Sequence, residues 1–164
     1  MPKLQIIVDI LAPSDAINIR FEGKNPFAGF AMFPRVIRDV MKITGKDTFE
    51  TDVRWDVSGG DNKSFYGMWM GIRTEDRWTK TRIRTLGQGE QSSKTKEGWV
   101  TFEIKGTINT DYNYATFVQR AFWNVFEKTF YHKQRRAYTE FAKDNIFDVR
   151  DRVLRTLNIE RDIG

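Results

Sequence analysis

The sequence predicts an α+β domain in which a curved antiparallel β-sheet of about six strands packs on a long C-terminal helix. Between about Thr48 and Ile108, apolar and polar residues mostly alternate, which is the period of β-strands. From Tyr112 to about Ala142, apolar residues recur at helical spacing instead. A sheet followed directly by a long helix predicts a helix laid across the sheet, with a cavity between the two elements.

Four segments carry the strand pattern: Thr48–Val57, Ser64–Arg73, Trp78–Leu86 and Trp99–Ile108. The connections 58–63 and 74–77 are too short for parallel crossovers, so we expect a consecutive antiparallel meander. Residues 64–73 are apolar on both faces, which predicts a strand that is central or covered on two sides. The segment 87–98 is rich in Gly, Ser and Lys and is predicted to be a mobile loop.

The N-terminal region adds two further strands and a helix. Residues 4–10 and 16–22 have strand character, and the turn residues between them predict either a hairpin or one bent long strand. Apolar residues at helical spacing predict a helix over Pro34–Ile43, with Pro34 in its first turn. We expect one domain over residues 1–164, in which residues 144–164 form an appended helix after a break near residue 143.

The long C-terminal helix carries one apolar stripe, which we expect to face the sheet. The stripe consists of Tyr114, Phe117, Val118, Ala121, Phe122, Val125 and Phe126.

This order of elements resembles the helix-grip fold of START-like and Bet v 1-like ligand-binding domains. The resemblance covers Pro26 to Ala142 and rests on element order and on the passage from Gly98–Tyr112 into the helix, with no residue motif. It implies antiparallel strands that curl around the long helix and enclose a ligand.

The amino-acid composition excludes several kinds of catalytic and metal-binding site. The chain has no cysteine, which excludes disulfides, thiol catalysis and cysteine-bound metals. His132 is the only histidine and lies in a polar stretch, so we expect no metal site and no cofactor. The first residues lack the pattern of a signal peptide, so we expect none there, and no apolar run is long enough to span a membrane. We therefore expect a cytoplasmic protein.

Carboxylates give only a weak case for catalysis. Glu50, Asp52 and Asp56 could act as general acids or bases, but they alternate with the apolar positions and share their face with Arg54, which favours a solvated surface. Asp9 stands between two β-branched residues and would be a further candidate if its side chain pointed inward. Enzymatic activity is therefore left open, with a non-enzymatic role favoured.

The favoured interpretation is the binding of an apolar or amphipathic small molecule between the sheet and the long helix. Aromatic and methionine side chains suit such a pocket, and Gly67, Gly71 and Gly106 would leave room for a ligand. The predicted lining consists of Tyr66, Met68, Met70, Phe102, Phe117 and Phe122.

The alternative is the binding of nucleic acid or another polyanion. Trp78, Lys80, Arg82 and Arg84 share one predicted strand face, and the chain has a net charge of +5. The same residues could instead form a solvated face or protect a sheet edge. Two further functions remain open. The protein could be an enzyme that uses the predicted cavity, or it could self-associate through its last helix.

Overall fold

The computed structural model describes residues 3–58 and 60–157 and confirms the α+β class. Its strands are β1 (Lys3–Asp9), β2 (Ile17–Lys24), β3 (Thr48–Glu50), β4 (Arg54–Asp56), β5 (Asn62–Thr74), β6 (Thr79–Ser92) and β7 (Glu97–Asn113). Its α-helices are α1 (Pro26–Met41), α2 (Phe117–Phe126) and α3 (His132–Thr156). A π-helical turn, Glu127–Tyr131, joins α2 to α3, so that the C-terminal helix is continuous.

Every strand pairing among the described residues is antiparallel, as predicted. The order along the sheet is β1-β7-β6-β5-β3, with β2 also on β7 and β4 also on β5. β2 pairs with the first half of β7 and β1 with the second half. The two N-terminal strands therefore follow each other along β7, as in the bent-strand alternative, and do not pair as a hairpin. The predicted strand 48–57 is divided into β3 and β4.

The helices cover one face of the sheet. Phe30, Phe33, Ile37 and Met41 of α1 are buried at helical spacing against that face. The predicted start at Pro34 was wrong, because α1 begins at Pro26 and Pro34 lies inside the helix. Proline at the first helical position is favourable, since its missing N–H has no partner to lose there.

The C-terminal helix differs from the prediction in its bounds and in the part that packs. β7 stays paired with β1 as far as Asn113, so the helix begins at Phe117 and not at Tyr112. The helix continues through residue 143 without a break. The segment predicted to be an appended helix is therefore the end of the long C-terminal helix, and it makes the main packing contacts of that helix. Residues 158–164 of that predicted segment lie outside the described residues. The side chains that join the core are Ala142, Ile146, Val149 and Val153.

Most of the predicted mobile loop 87–98 is strand, because residues 87–92 belong to β6 and residues 97–98 to β7. β6 and β7 remain paired from Gly87↔Phe102 to Gln91↔Gly98, which leaves a tight turn at residues 93–96. A Cβ atom at Gly87 would lie 3.0 Å from Phe30 and 3.2 Å from Phe102. The glycine accommodates large core side chains, which explains why its presence wrongly indicated a loop.

The glycines expected to leave room for a ligand also contact packed side chains. A Cβ atom at Gly106 would meet Ile146 at 2.6 Å and Ile10 at 2.8 Å, and one at Gly71 would meet Ile37 at 2.5 Å. At Gly67 the nearest neighbours are Trp69 and Phe30. The prediction that these positions leave open space was therefore wrong.

Candidate functional site

The outer face of the sheet, opposite the helices, exposes three cations on β6. Lys80, Arg82 and Arg84 alternate with Thr81 and Ile83, which are buried on the helix side. β6 pairs with β5 on one side and with β7 on the other over most of its length. These three residues, the cationic row, therefore lie in the interior of the sheet, and they do not protect a sheet edge.

Strand geometry brings a fourth cation and apolar neighbours to the cationic row. Lys105 of β7 lies directly opposite Arg84. On the other side, Met70 and Ile72 of β5 lie opposite Arg84 and Arg82. Alternate residues along a strand are roughly 6.6–6.8 Å apart, so the row presents a regular line of charge. We call the row together with Lys105 the cationic patch.

The cationic row is not neutralised locally. Among residues 3–58 and 60–157, no carboxylate forms an ion pair with Lys80, Arg82 or Arg84. Lys105 differs, because its Nζ lies 3.1 Å from Glu103 Oε1. Arg20 shows the usual surface arrangement, with its Nη2 2.7 Å from Glu22 Oε1. The row therefore keeps its positive charge available.

A shallow depression of about 310 Å³ opens beside the patch. Its lining combines cationic, hydroxyl and apolar groups from three strands: Met70, Arg82, Arg84, Lys105, Gly106 and Thr107. Guanidinium groups beside a shallow surface suit a phosphate group, which they can bind through two parallel hydrogen bonds. Sequence reasoning found the row but missed Lys105, although its alternation along β7 placed it on the polar face.

Trp78 does not belong to this patch, contrary to the prediction. It precedes β6, and its ring lies 5.4 Å from Trp123, 5.5 Å from Tyr131 and 6.0 Å from Phe126. Arg77 lies over the same ring at 5.2 Å. Because the Trp78 ring is packed among these groups, it does not contribute to the surface formed by Lys80, Arg82 and Arg84.

The six residues predicted to line a ligand cavity lie in three places. Tyr66, Met68 and Met70 are on the outer face. Phe102 is buried on the opposite face, 4.7 Å from Phe33. Phe117 and Phe122 are exposed on α2, at 81% and 69% of their surface. The structure does not bring these residues into one lining, and the binding of an apolar molecule stays a prediction.

The candidate acid–base residues have ordinary surface partners. Arg54 donates two hydrogen bonds to Asp52, at 2.8 and 2.9 Å. The Ser58 hydroxyl and backbone N–H donate to Asp56 and lower the pKa of that carboxyl. Asp9 accepts a bond from the backbone N–H of Leu11. His132 is exposed, and the described ranges hold no group of three His, Asp or Glu residues that could bind a metal.

A polar network that the sequence did not reveal joins the β5–β6 turn to the long helix. The Tyr131 hydroxyl donates to Asp76 at 2.5 Å and lies 2.5 Å from Thr79 Oγ1. Tyr138 also donates to Asp76, at 3.0 Å. Burial raises the pKa of Tyr131 well above its ordinary value, and the bond to Asp76 raises it further. Nothing in the spacing of these residues linked Asp76 to a helix some 55 positions away.

Comparisons with known proteins identify no family. No protein-family model matches the chain, and no curated protein does. Among solved structures, a delta-endotoxin matches with 11% identity over 70% of this chain and a TM-score of 0.37. The match covers 64% of the endotoxin chain, which is less than two thirds of its length.

Two uncharacterised proteins also match. One from Staphylococcus aureus has 7% identity over 88% of this chain and 94% of its own, with a TM-score of 0.28. One from Rhizobium leguminosarum has 11% identity over 92% of this chain and 99% of its own, with a TM-score of 0.22. These likenesses carry no argument about function, and none supports the helix-grip resemblance.

Proposed function

We propose that this chain binds a polyanion, and nucleic acid in particular, through the cationic patch. The observation that carries the proposal is the cationic row, in which three exposed bases on an interior strand have no ion-pair partner among the described residues. Like charges along one strand repel each other, so the arrangement gives the isolated fold no electrostatic benefit. An anion on the outer face would remove that repulsion.

The geometry suits a phosphate backbone better than a single compact anion. Successive charges of the row are separated by roughly 6.6–6.8 Å, close to the phosphate repeat of an extended nucleic-acid strand. Arg82 and Arg84 can each bind a phosphate with two hydrogen bonds, whereas Lys80 acts as a point charge. Met70 and Ile72 beside them offer apolar surface to a sugar or a base. Contacts of this kind confer affinity without reading base sequence.

Direct binding measurements test the proposal. We expect labelled single-stranded and double-stranded oligonucleotides both to bind at low salt, and the combined variant Lys80→Gln, Arg82→Gln, Arg84→Gln to bind at least about tenfold more weakly. The matched control is Lys24→Gln, Arg35→Gln, Lys46→Gln, which removes three exposed charges from other elements. Equal losses in both triple variants would mean that net charge alone attracts the oligonucleotide, and the proposal would fail.

A further inference from the structure

The first part of the C-terminal helix presents an apolar face to solvent. Within α2 the large exposed side chains are Phe117, Val118, Phe122 and Val125, and Phe130 follows in the π-helical turn. Phe117 and Phe130 are exposed over 81% and 71% of their surface. The spacing of the four α2 residues, at i, i+1, i+5 and i+8, places them on one side of the helix. We call these five residues the exposed stripe.

The helix is anchored from its other side. Trp123 of α2 is buried, and its ring stacks on Tyr112 at 4.4 Å. It also contacts Trp78 and Tyr131 at ring distances of 5.4 and 5.5 Å. A step of 100° per residue places Trp123 nearly opposite the centre of the stripe. The stripe therefore points away from the body of the protein, and its exposure does not come from a detached helix.

The charges around the stripe have one sign. Every exposed ionisable side chain between residues 117 and 136 is a base: Arg120, Lys128, His132, Lys133 and Arg136. The carboxylate in this segment, Glu127, is partly buried and lies 2.6 Å from Arg135 Nη1. An apolar face rich in Phe and bordered by uncompensated bases is typical of helices that lie in the interface of an anionic membrane.

We propose that α2 binds the surface of a membrane containing anionic lipids, with the exposed stripe inserted at the level of the headgroups. The bordering cations complement anionic headgroups. A second copy of the same helix is a poorer partner, because it would bring further bases without an exposed carboxylate between residues 117 and 136 to neutralise them. The binding is peripheral, and none of the described helices is long and apolar enough to cross a membrane.

Vesicle binding tests this surface. We expect the protein to float with vesicles of mixed phosphatidylcholine and phosphatidylglycerol and not with phosphatidylcholine alone. The variant Phe117→Ser, Phe122→Ser should lower the partition coefficient at least about tenfold, because inserted apolar area is lost. Both residues are exposed, so folding should be unaffected. The matched control, Ile7→Ser with Val57→Ser, replaces exposed apolar residues outside the stripe and should bind as the wild type does.

The absence of cysteine allows a site-specific probe. Val118→Cys labelled with an environment-sensitive dye should show a blue-shifted emission on anionic vesicles, whereas Ile7→Cys with the same dye should not. Both positions are exposed in the free protein. Equal shifts at the two positions, or no shift at either, would overturn the proposal.

Two further outcomes would also contradict it. A homodimer in light scattering that Phe122→Ser dissociates would assign the stripe to a second copy. Vesicle binding that survives Phe117→Ser, Phe122→Ser but is lost in Lys80→Gln, Arg82→Gln, Arg84→Gln would assign membrane binding to the sheet. If Lys80→Gln, Arg82→Gln, Arg84→Gln loses oligonucleotide binding but still binds vesicles, the membrane proposal is supported.

Discussion

Arg84 and Lys105 lie directly opposite each other on β6 and β7, so two cations are cross-strand neighbours on the outer face of the sheet. Such pairs of like charge are destabilising. Glu103 partly neutralises Lys105, at 3.1 Å, but Arg84 has no carboxylate partner within the described residues. A sheet selected for stability alone would place a neutral or an acidic residue at position 84.

Replacing Arg84 should therefore stabilise the protein while weakening its binding to polyanions. We expect Arg84→Gln to raise the free energy of unfolding by about 0.5 kcal/mol at low salt, because the repulsion with Lys105 is removed. The gain should vanish at high salt, where surface charges are screened. Urea unfolding measures it. The control Arg20→Gln, which breaks an ion pair with Glu22, should give no gain, and destabilisation by Arg84→Gln would contradict the account.

Buried and exposed phenylalanines should respond very differently to truncation. Phe102 is 2% exposed and packs against Phe33, so Phe102→Ala should cost about 3–5 kcal/mol in the free energy of unfolding. Phe122→Ala should change it by less than about 0.5 kcal/mol, because most of that ring already contacts water. Similar costs for the two variants, measured by chemical unfolding, would mean that α2 packs on the domain more closely than the exposure of Phe122 indicates.

Gly98 should tolerate no side chain. A Cβ atom there would collide with the backbone carbonyl oxygen of Glu90 and lie 2.8 Å from Gln91 Cα. Since backbone on a paired strand cannot move aside cheaply, Gly98→Ala should destabilise the protein by about 1–3 kcal/mol. Gly45→Ala is the control, because its nearest neighbour is Arg38 Nη1 at 3.8 Å. A neutral result for Gly98→Ala in thermal unfolding would restore the mobile-loop interpretation.

The bond between Tyr131 and Asp76 should appear in the pH dependence of stability. Burial, and after it the bond to Asp76, raises the pKa of Tyr131 in the folded state, so the unfolded chain releases this proton at lower pH. The resulting stabilisation is fully present below about pH 10, the ordinary range of tyrosine, and is lost as the pH rises through the folded pKa. Urea unfolding between pH 8 and 11 should show a shallower decline in Tyr131→Phe, and equal slopes would argue against the burial of this hydroxyl.

The fold class and strand pairing could be predicted because they depend on local periodicity and connection length. The apolar run over 64–73 indicated β5, alternation over 99–108 indicated β7, and the short connections 58–63 and 74–77 imposed antiparallel pairing. The residues at which strands and helices begin and end were harder to predict from the sequence. Gly87 of β6 resembled a loop residue, since its packing role depends on Phe30 and Phe102, which are distant in sequence.

The site was only partly predictable for the same reason. The cationic row could be predicted, because it depends only on the alternation of residues within β6. The contribution of Lys105 required the register of β7 against β6, which the sequence does not encode locally. The apolar stripe of α2 was visible, but periodicity shows only that one side of a helix is apolar. It does not show whether that side faces the sheet or solvent, and here Phe117, Val118, Phe122 and Val125 face solvent.

The salt dependence of oligonucleotide binding tests the central claim most directly. Each phosphate contact releases condensed counterions, so the slope of the logarithm of the binding constant against the logarithm of salt concentration reports the number of contacts. We predict that Lys80→Gln, Arg82→Gln, Arg84→Gln flattens this slope by about 2 for single-stranded DNA, whereas Lys24→Gln, Arg35→Gln, Lys46→Gln leaves it near the wild-type value. Identical slopes in the wild type and the first variant would contradict a polyanion-binding role for the outer face.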